Sequence, residues 1–185
     1  YTKEMTNLPD APIADITLKG LNYDGTYLVM PELIIEELET EETFPLLPQV
    51  FFAKNSADLT KTNLNLLTAA QAKSFDEAKI HWDALSIYRD MLNIIAKRAK
   101  DNENATFTIT GCNNDAAEEA GNLSLSKARA EAIRDYFAEV WGINQKQISI
   151  ETRNLPEKPA NNLRPQGLEE NRRAELSSDN PEILK

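Results

Sequence analysis

The sequence predicts an α/β fold in which helices pack on a face of one β-sheet. Strand-like and helix-like segments alternate along the chain, in the order β-α-β-α-β-loop-β. Amphipathic helices between strands are typical of crossovers that join parallel strands of one sheet. The 185 residues, 41% of them hydrophobic, suffice for a buried core, in one large domain or in one domain with an appendage.

The first 47 residues differ from the rest of the chain. Short strand-like segments occupy residues 16–19, 27–30 and 33–35, around an Asn-Tyr-Asp-Gly turn at 22–25. A very acidic segment follows at 36–42, and its pattern fits a helix as well as a strand. We therefore expect residues 1–47 to form a β-rich, acidic N-terminal extension or the edge of a preceding domain. Because the chain begins at Tyr1 rather than Met, we expect it to be a piece of a longer protein.

The main domain is predicted to span residues 48–178, with a short tail at 179–185. The apolar segment 50–53 predicts a strand. Asp83 is a favourable N-cap for a single helix that carries apolar residues on one face and basic residues at its C-terminal end. The segment 59–81 gives no firm assignment.

Three further strands are predicted towards the C-terminus. Thr alternates with apolar residues in 105–110, which predicts a half-buried strand that ends at Gly111. Polar and apolar residues also alternate in 147–152 and in 173–177, which predicts two more strands. The intervening segment 154–170 contains three prolines and one glycine, so it is predicted to be a long ordered loop or a broken helix.

The helix between the second and third strands carries an arginine on its apolar face. Residues at helical spacing draw one apolar arc, formed by Leu125, Ala128, Ala132, Ile133, Tyr136, Phe137 and Val140. Arg129 lies in the middle of this arc, and Gly142 is a natural stop for the helix. A guanidinium turned towards the core, in the early turns of a helix, needs a compensating anion. The sequence therefore predicts either an internal acid or a ligand at Arg129.

Composition and charge argue against several classes of function. The formal net charge of -10 disfavours binding to nucleic acids and electrostatic docking on anionic lipids. No apolar run approaches the roughly 20 residues of a membrane-spanning helix. One cysteine, Cys112, and one histidine, His81, leave no pattern for a metal centre or a His-dependent catalytic site. We therefore expect no cofactor, no metal and no enzymatic activity.

Polar residues cluster where the second strand ends and the next helix begins. Asn113, Asn114 and Asp115 follow the strand, Asn122 precedes the helix, and Arg129 lies in its early turns. Open α/β sheets usually bind ligands at such an edge. Amide groups beside a guanidinium would suit a zwitterionic, amino-acid-like group.

Simpler interpretations of the two arginine positions stay open. Arg129 could pair inside the protein with an acid or with loop carbonyls, because structural ion pairs are common. The acids available for this pairing are Glu118, Glu119 and Glu175. Arg172 and Arg173, which precede the last strand, could be a solvated basic pair.

The same residues carry a resemblance to a known family. The blocks concerned are Val50-Phe51-Phe52, Gly111 to Asn114, Asn122, the helical segment Leu125 to Ile133, and Asn171-Arg172-Arg173-Ala174-Glu175. In their order and secondary structure they resemble the signature of the OmpA-like C-terminal domain, over about residues 48–178. The resemblance is closest to a subgroup found in large multidomain envelope proteins. That subgroup combines Gly-Cys-Asn with a Val-Trp-Gly-Ile segment, here at 140–143.

The resemblance implies both a fold and a function. The fold would be an OmpA-like β-α-β-α-β-β sandwich with helices on one mixed sheet. The function would be that of a non-enzymatic module in the periplasm of a Gram-negative cell envelope, associated with the outer membrane. Its partners would be peptidoglycan, bound through the diaminopimelate of the stem peptide, and other envelope proteins or domains.

Family positions can be transferred to individual residues of this chain. In the family, a loop aspartate takes the ammonium of the diaminopimelate and a helix arginine takes its carboxylate. Arg129 matches that arginine, Asn122 matches a loop asparagine, and Arg173 matches the arginine of the final motif, whereas Asn114 stands at the aspartate position. The ligand-binding residues that the resemblance implies are Asn113, Asn114, Asp115, Asn122, Arg129 and Arg173.

Asn114 departs from the family pattern in a way that bears on binding. An amide in place of a carboxylate removes a charge-assisted hydrogen bond of roughly 1.5–3 kcal/mol, or about one to two orders of magnitude in affinity. The acids usual after the first strand are also replaced, by Ala-Lys-Asn at 53–55. Two hypotheses follow: a peptidoglycan anchor, or a structural or protein-interaction module of an outer-membrane-associated assembly with weakened or lost peptidoglycan binding.

Overall fold

The computed structural model describes residues 20–27, 46–81 and 83–184. The chain divides into two units, Tyr1–Thr43 and Phe44–Lys185. The domain boundaries predicted above stay a prediction.

In the N-terminal unit, the described residues form the predicted turn. The N–H of Gly25 donates to the carbonyl of Asn22 at 3.0 Å, and Leu21 and Tyr27 form an antiparallel bridge across the turn. Gly25 has a φ of 83°, a left-handed conformation that favours glycine. The predicted strands at 16–19 and 33–35, most of the one at 27–30 and the acidic segment 36–42 lie outside the described residues.

Four strands of the larger unit form one mixed sheet. They are β1 (Gln49–Phe51), β2 (Phe107–Gly111), β3 (Ile148–Thr152) and β4 (Arg173–Ser178). Their order is β1-β4-β2-β3; β2 and β3 are parallel, whereas β4 is antiparallel to both β1 and β2. The predicted α/β class and the mixed sheet are confirmed. β1 and β2 run in the same direction, but β4 lies between them.

Helices connect the strands. They are α1 (Ala69–Ala72), α2 (Ala84–Arg89), α3 (Met91–Asp101), α4 (Leu123–Trp141) and α5 (Pro165–Asn171). The apolar core lies between these helices and the sheet, and its fully buried members include Val50, Ile94, Ile95, Ile109, Ile133, Phe137, Ala174 and Ile183. None of the helices in the described part of the chain is long and apolar enough to cross a lipid bilayer.

The single helix predicted after Asp83 is in fact two helices. Asp83 is the expected N-cap and accepts hydrogen bonds from two backbone N–H groups of α2. The helix is interrupted at Asp90, whose ψ is 7°. Asn65 donates its backbone N–H to the carbonyl of Arg89 and its side-chain amide to Asp90, at 2.8 Å in both cases. A distant segment therefore decides this break, which helical periodicity could not indicate.

The boundaries of α4 agree with the sequence prediction. Asn122 caps the helix, since its side-chain oxygen accepts the N–H of Leu125 at 3.0 Å. Gly142 ends the helix in a left-handed conformation with a φ of 72°. The segment after β3 combines the two predicted alternatives, because an irregular stretch leads into α5, which has Pro165 in its first turn.

The topology brings several loops to one edge of the sheet. β1, β2 and β3 run in the same direction, so the loops that follow them emerge at the same edge, next to the start of β4. Backbone hydrogen bonds join these segments: Asn113 donates to the carbonyl of Asn154 at 2.7 Å, and Phe52 donates to that of Arg172 at 2.7 Å. This edge holds most of the polar residues singled out by the sequence.

We expect Gly111→Ala to destabilise the domain by about 3 kcal/mol or more. The added Cβ would lie 1.8 Å from the carbonyl oxygen of Ser126, so the backbone of α4 would have to move. Urea unfolding followed by circular dichroism measures the change. Gly142→Ala is the matched control: it has open space but a left-handed φ, and should cost only about 1–2 kcal/mol. Equal effects of the two variants would contradict the close contact of α4 with β2.

Candidate functional site

Arg129 is completely buried, and all five of its N–H groups have acceptors inside the protein. Nε donates to the carbonyl of Ser56 at 2.9 Å. Nη1 donates to the carbonyl of Cys112 at 2.9 Å and to Glu119 Oε2 at 3.2 Å. Nη2 donates to Glu119 Oε1 at 2.8 Å and to the carbonyl of Ala53 at 3.3 Å. The anion that the sequence requires is therefore a carboxylate of the same chain.

Glu119 is equally buried and fully engaged. In addition to Arg129, it accepts the backbone N–H of Asn55 at 2.7 Å and that of Asn114 at 3.3 Å. Burial acts to raise the pKa of Glu119, but the hydrogen bonds from Arg129 and Asn55 outweigh it and hold the pKa below its usual value. The carboxylate is therefore ionised at neutral pH. The guanidinium carbon of Arg129 lies over the ring of Phe52, 5.6 Å from its centroid.

The two loops around this ion pair have unusual backbone conformations. Of the described residues other than glycine, Asn55, Asp115 and Ala117 have a positive φ, between 47° and 53°. Asparagine and aspartate tolerate this conformation, whereas alanine does so at a cost of about 1–2 kcal/mol. On the outside, Lys54 donates to Glu118 at 3.0 Å between the same two loops. The loops thus adopt a strained path that carries Glu119 to Arg129.

Asn113 and Asn114 are buried and serve the loop itself. The side-chain amide of Asn113 donates to the carbonyl of Asn122 and to Ser126 Oγ, at 3.0 Å in both cases. The side-chain oxygen of Asn114 accepts the N–H of Ala116 at 3.1 Å. The carbonyl of Asn114 accepts a hydrogen bond from the side chain of Asn162 at 2.7 Å. Both asparagines therefore stabilise the turn after β2.

Asp115 is exposed, unlike the other five predicted binding residues. One of its carboxylate oxygens accepts the N–H of Gly121 at 2.8 Å. Because Asp115 lies on the surface, its second carboxylate oxygen is accessible to a partner. Asn122, in contrast, uses its side-chain oxygen as the cap of α4.

Arg173 is also buried, so the interpretation as a solvated basic pair is wrong for this residue. Its Nε donates to Glu175 Oε1 at 3.0 Å, and its Nη2 lies 2.9 Å from the same oxygen. Nη1 donates to the carbonyl of Glu170 and Nη2 to that of Lys158. The carbonyl of Arg173 accepts the N–H of Cys112, whose own carbonyl accepts from Arg129. The strand end therefore links the two arginines through the backbone.

The partner of Arg129 is one of the three acids that the sequence offered. Glu118 and Glu119 are adjacent, so they face opposite sides of the turn. Glu118 takes the exposed Lys54, and Glu119 takes the buried guanidinium. Two asparagines order the loop before β4, Asn162 and Asn171. The sequence analysis named Asn171 only as part of a family block and did not single out Asn162. The one signal for Asn162 was the density of asparagine in this part of the chain.

The one thiol at this edge of the sheet, that of Cys112, is not activated. Burial and the charge of Glu175 raise the pKa of Cys112 to about 11, so its thiol is protonated and a poor nucleophile. Within residues 20–27, 46–81 and 83–184 there is no group of three or more His, Cys, Asp or Glu side chains that could hold a metal ion.

The model of the OmpA family matches residues 74–173, which cover α2 to the first residue of β4. The chain belongs to the OmpA family. No curated protein matches it. Among solved structures, this OmpA-family chain is similar to the peptidoglycan-associated lipoprotein from Burkholderia pseudomallei, with 19% identity over 71% of this chain and 90% of that chain, and a TM-score of 0.49.

Two other solved structures show a similar degree of likeness to this OmpA-family chain. The OmpA-like domain of FopA1 from Francisella tularensis is 18% identical, over 70% of each chain, with a TM-score of 0.42. The C-terminal domain of Helicobacter pylori MotB is 19% identical, over 50% of this chain and 74% of that chain, with a TM-score of 0.42.

We expect Arg129→Met to lower the free energy of unfolding of this OmpA-family domain by about 3–5 kcal/mol, because Glu119 would stay buried without a counter-ion. Lys127→Met is the control on the same helix. Its side chain is 61% exposed and pairs with Glu131 at 3.6 Å, so it should change stability by less than about 0.5 kcal/mol. Urea unfolding monitored by circular dichroism compares the two. Similar small effects would show that Arg129 has no structural role.

The ion pair also predicts a pH dependence. Because the pKa of Glu119 is lower in the folded than in the unfolded chain, its stabilising effect is complete above the unfolded pKa of about 4.5 and is lost as the pH falls through the folded pKa. The difference in unfolding free energy between the wild type and Glu119→Gln should therefore be largest at neutral pH and shrink below pH 4.5. Denaturant titrations at several pH values measure it. A difference that grew on acidification would contradict an ionised Glu119.

Proposed function

We propose that this OmpA-family chain is a non-enzymatic structural or protein-interaction module of the bacterial cell envelope, and that Arg129 serves its fold rather than a ligand. One observation carries the proposal: every N–H of Arg129 already has an acceptor within the protein. A stem-peptide carboxylate would have to displace Glu119, whose charge is held by four N–H groups. The partners of such a module are other envelope proteins or domains in the periplasm, close to the outer membrane.

The absence of the family's carboxylate on the opposite side of the site supports the same proposal. Asn114 stands at the position of the aspartate that takes the ligand ammonium, and its side chain binds the turn. Ala53 and Asn55, where the family has acids, contribute only backbone groups to the buried pair. The residues that would hold both ends of a diaminopimelate are thus replaced or engaged.

Peptidoglycan anchoring is the second candidate function. It is favoured by family membership and by the position of Asp115, which is exposed beside the buried pair and free to meet an ammonium group. In this case the six residues named from the resemblance form the binding site, and the ligand carboxylate exchanges with Glu119. The parent protein would then be held non-covalently at the cell wall.

Co-sedimentation with purified sacculi that contain diaminopimelate tests the two functions. We expect the wild-type chain to show no saturable binding, and stem peptide at millimolar concentration to leave its amide NMR signals in place. Saturable binding that Asp115→Asn weakens tenfold or more would establish the anchor instead. Asp115→Asn is a suitable variant because its side-chain oxygen can still accept the N–H of Gly121.

Restoring the family residue at position 114 distinguishes two reasons for a loss of binding. If the anchor function was lost through the loss of one carboxylate, Asn114→Asp should introduce or strengthen binding by about 10- to 100-fold. If the Arg129–Glu119 ion pair is what prevents binding, Asn114→Asp should still not sediment with sacculi. The variant keeps the acceptor for the N–H of Ala116, so the turn is expected to persist.

A further inference from the structure

Arg172, which directly precedes β4, is largely buried, but its guanidinium has no hydrogen-bond acceptor among the described residues. Its side chain is only 11% exposed, so the interpretation as a solvated basic pair is wrong for this arginine too. Its Nε is enclosed by the protein without a partner. The one carboxylate within 4.0 Å in the described part of the chain is that of Glu169, whose Oε1 lies 4.0 Å from Nη2. This distance is too long for a hydrogen bond, and the side chain of Glu169 is 72% exposed.

The two other buried arginines of this region differ from Arg172. Every N–H of Arg129 has an acceptor, and Nε, Nη1 and Nη2 of Arg173 each donate a hydrogen bond. A buried donor that has lost its hydrogen bonds to water without gaining others costs free energy, and more so when it is charged. An unsatisfied group of this kind in a folded protein requires an explanation, and an acceptor supplied by a ligand is one.

Arg172 lines a groove of about 490 Å³ beside β1, an edge strand of the sheet. The rings of Phe51 and Tyr88, which also line it, lie 6.5 Å apart and are tilted by 40°. Leu47, which is 53% exposed, adds to the apolar lining. Thr62 and Asn63 contribute polar groups. A largely apolar lining with a few polar groups, in a groove of this volume, is typical of sites for small molecules.

The groove is distinct from the candidate site around Arg129, and its charges favour an anion. None of the six residues that the family resemblance implies for ligand binding lines it. Its lining includes two cations, Lys61 and Arg172, and one acid, Glu169. Lys61 is itself only loosely paired, since its Nζ lies 3.7 Å from the exposed Asp58. An incoming anion would therefore meet a net positive charge next to aromatic rings.

We propose that this groove binds a carboxylate that carries an aromatic ring, as in a free aromatic acid or in the last residue of a polypeptide that ends in Phe or Tyr. The carboxylate accepts hydrogen bonds from Arg172, whose planar fork matches its two oxygens. The ring packs against Phe51 and Tyr88. Burial raises the pKa of Tyr88, so its hydroxyl is neutral at pH 7 and does not repel the carboxylate. This binding site goes beyond the proposed function.

Titration of N-acetyl-L-phenylalanine into the isotope-labelled chain, followed by amide NMR, tests this site. We expect saturable shifts at Phe51, Asn63, Tyr88 and Arg172, with a Kd of roughly 1 mM for a ligand of this size. N-acetyl-L-phenylalaninamide has the same shape without the charge, and it should bind at least about tenfold more weakly. Phenylacetate distinguishes the two sources of the ligand: if it binds as tightly, the site is specific for a free aromatic acid, and if it binds more weakly, for a chain end.

Variants at both ends of α5 assign the binding to Arg172. Arg172→Gln should remove the preference for the acid over its amide, because the charge is lost. Glu169→Gln removes the acid that competes with the ligand, so it should tighten binding by about two- to fivefold. Arg164→Gln is the matched control, since Arg164 is an exposed arginine at the start of the same helix and does not line the groove. It should bind both ligands as the wild type does.

Arg172→Gln is expected to fold, because its replacement breaks no hydrogen bond of the guanidinium. Its Tm should be close to that of the wild type. If it nevertheless failed to fold, titration of the wild type would still decide the question. Equal affinities for the acid and its amide, or the absence of saturable shifts at the four residues named above, would overturn the proposal. Sedimentation with sacculi tests the proposed function separately, because this titration involves no peptidoglycan.

Discussion

The larger unit of this protein depends on one buried ion pair between a helix and a turn. The hydrogen bonds of Arg129 and Glu119 connect three segments, namely α4, the loop after β1 and the loop after β2. Neither charge can be removed alone without leaving the other unpaired in the interior. The strained conformations of Asn55, Asp115 and Ala117 are tolerated because the pair determines where these loops must lie.

This constraint also accounts for the proposed loss of ligand binding at an edge whose OmpA-family fold is retained. The edge still combines the ends of three strands, the start of β4 and the first turns of α4. The guanidinium of Arg129 at this edge is paired with Glu119 of the same chain. Asn113 and Asn114 form side-chain hydrogen bonds with backbone groups of their own loop. Asp115, Lys54 and Glu118 are exposed beside the ion pair, whereas the pair itself is buried.

Local signals predicted the parts of the fold that depend on neighbouring residues. Asp83 and Gly142 mark helix ends because capping involves groups within one turn. The break at Asp90 was missed because Asn65, 25 residues away, supplies its hydrogen bond. The buried state of Arg173 was missed for the same reason, since its partners include a loop carbonyl 15 residues earlier.

By itself, the sequence determined that the chain forms an α/β sheet structure and that Arg129 needs an anion, because helical periodicity alone places it on the apolar face. Only the tertiary structure decided which anion this is. Glu119 meets Arg129 because the backbone of Asn55, 64 residues from Glu119, completes the shell around its carboxylate. Which acid pairs with Arg129 depends on the free energy of burying its carboxylate. Hydrogen-bond donors that are far apart in the sequence set this free energy.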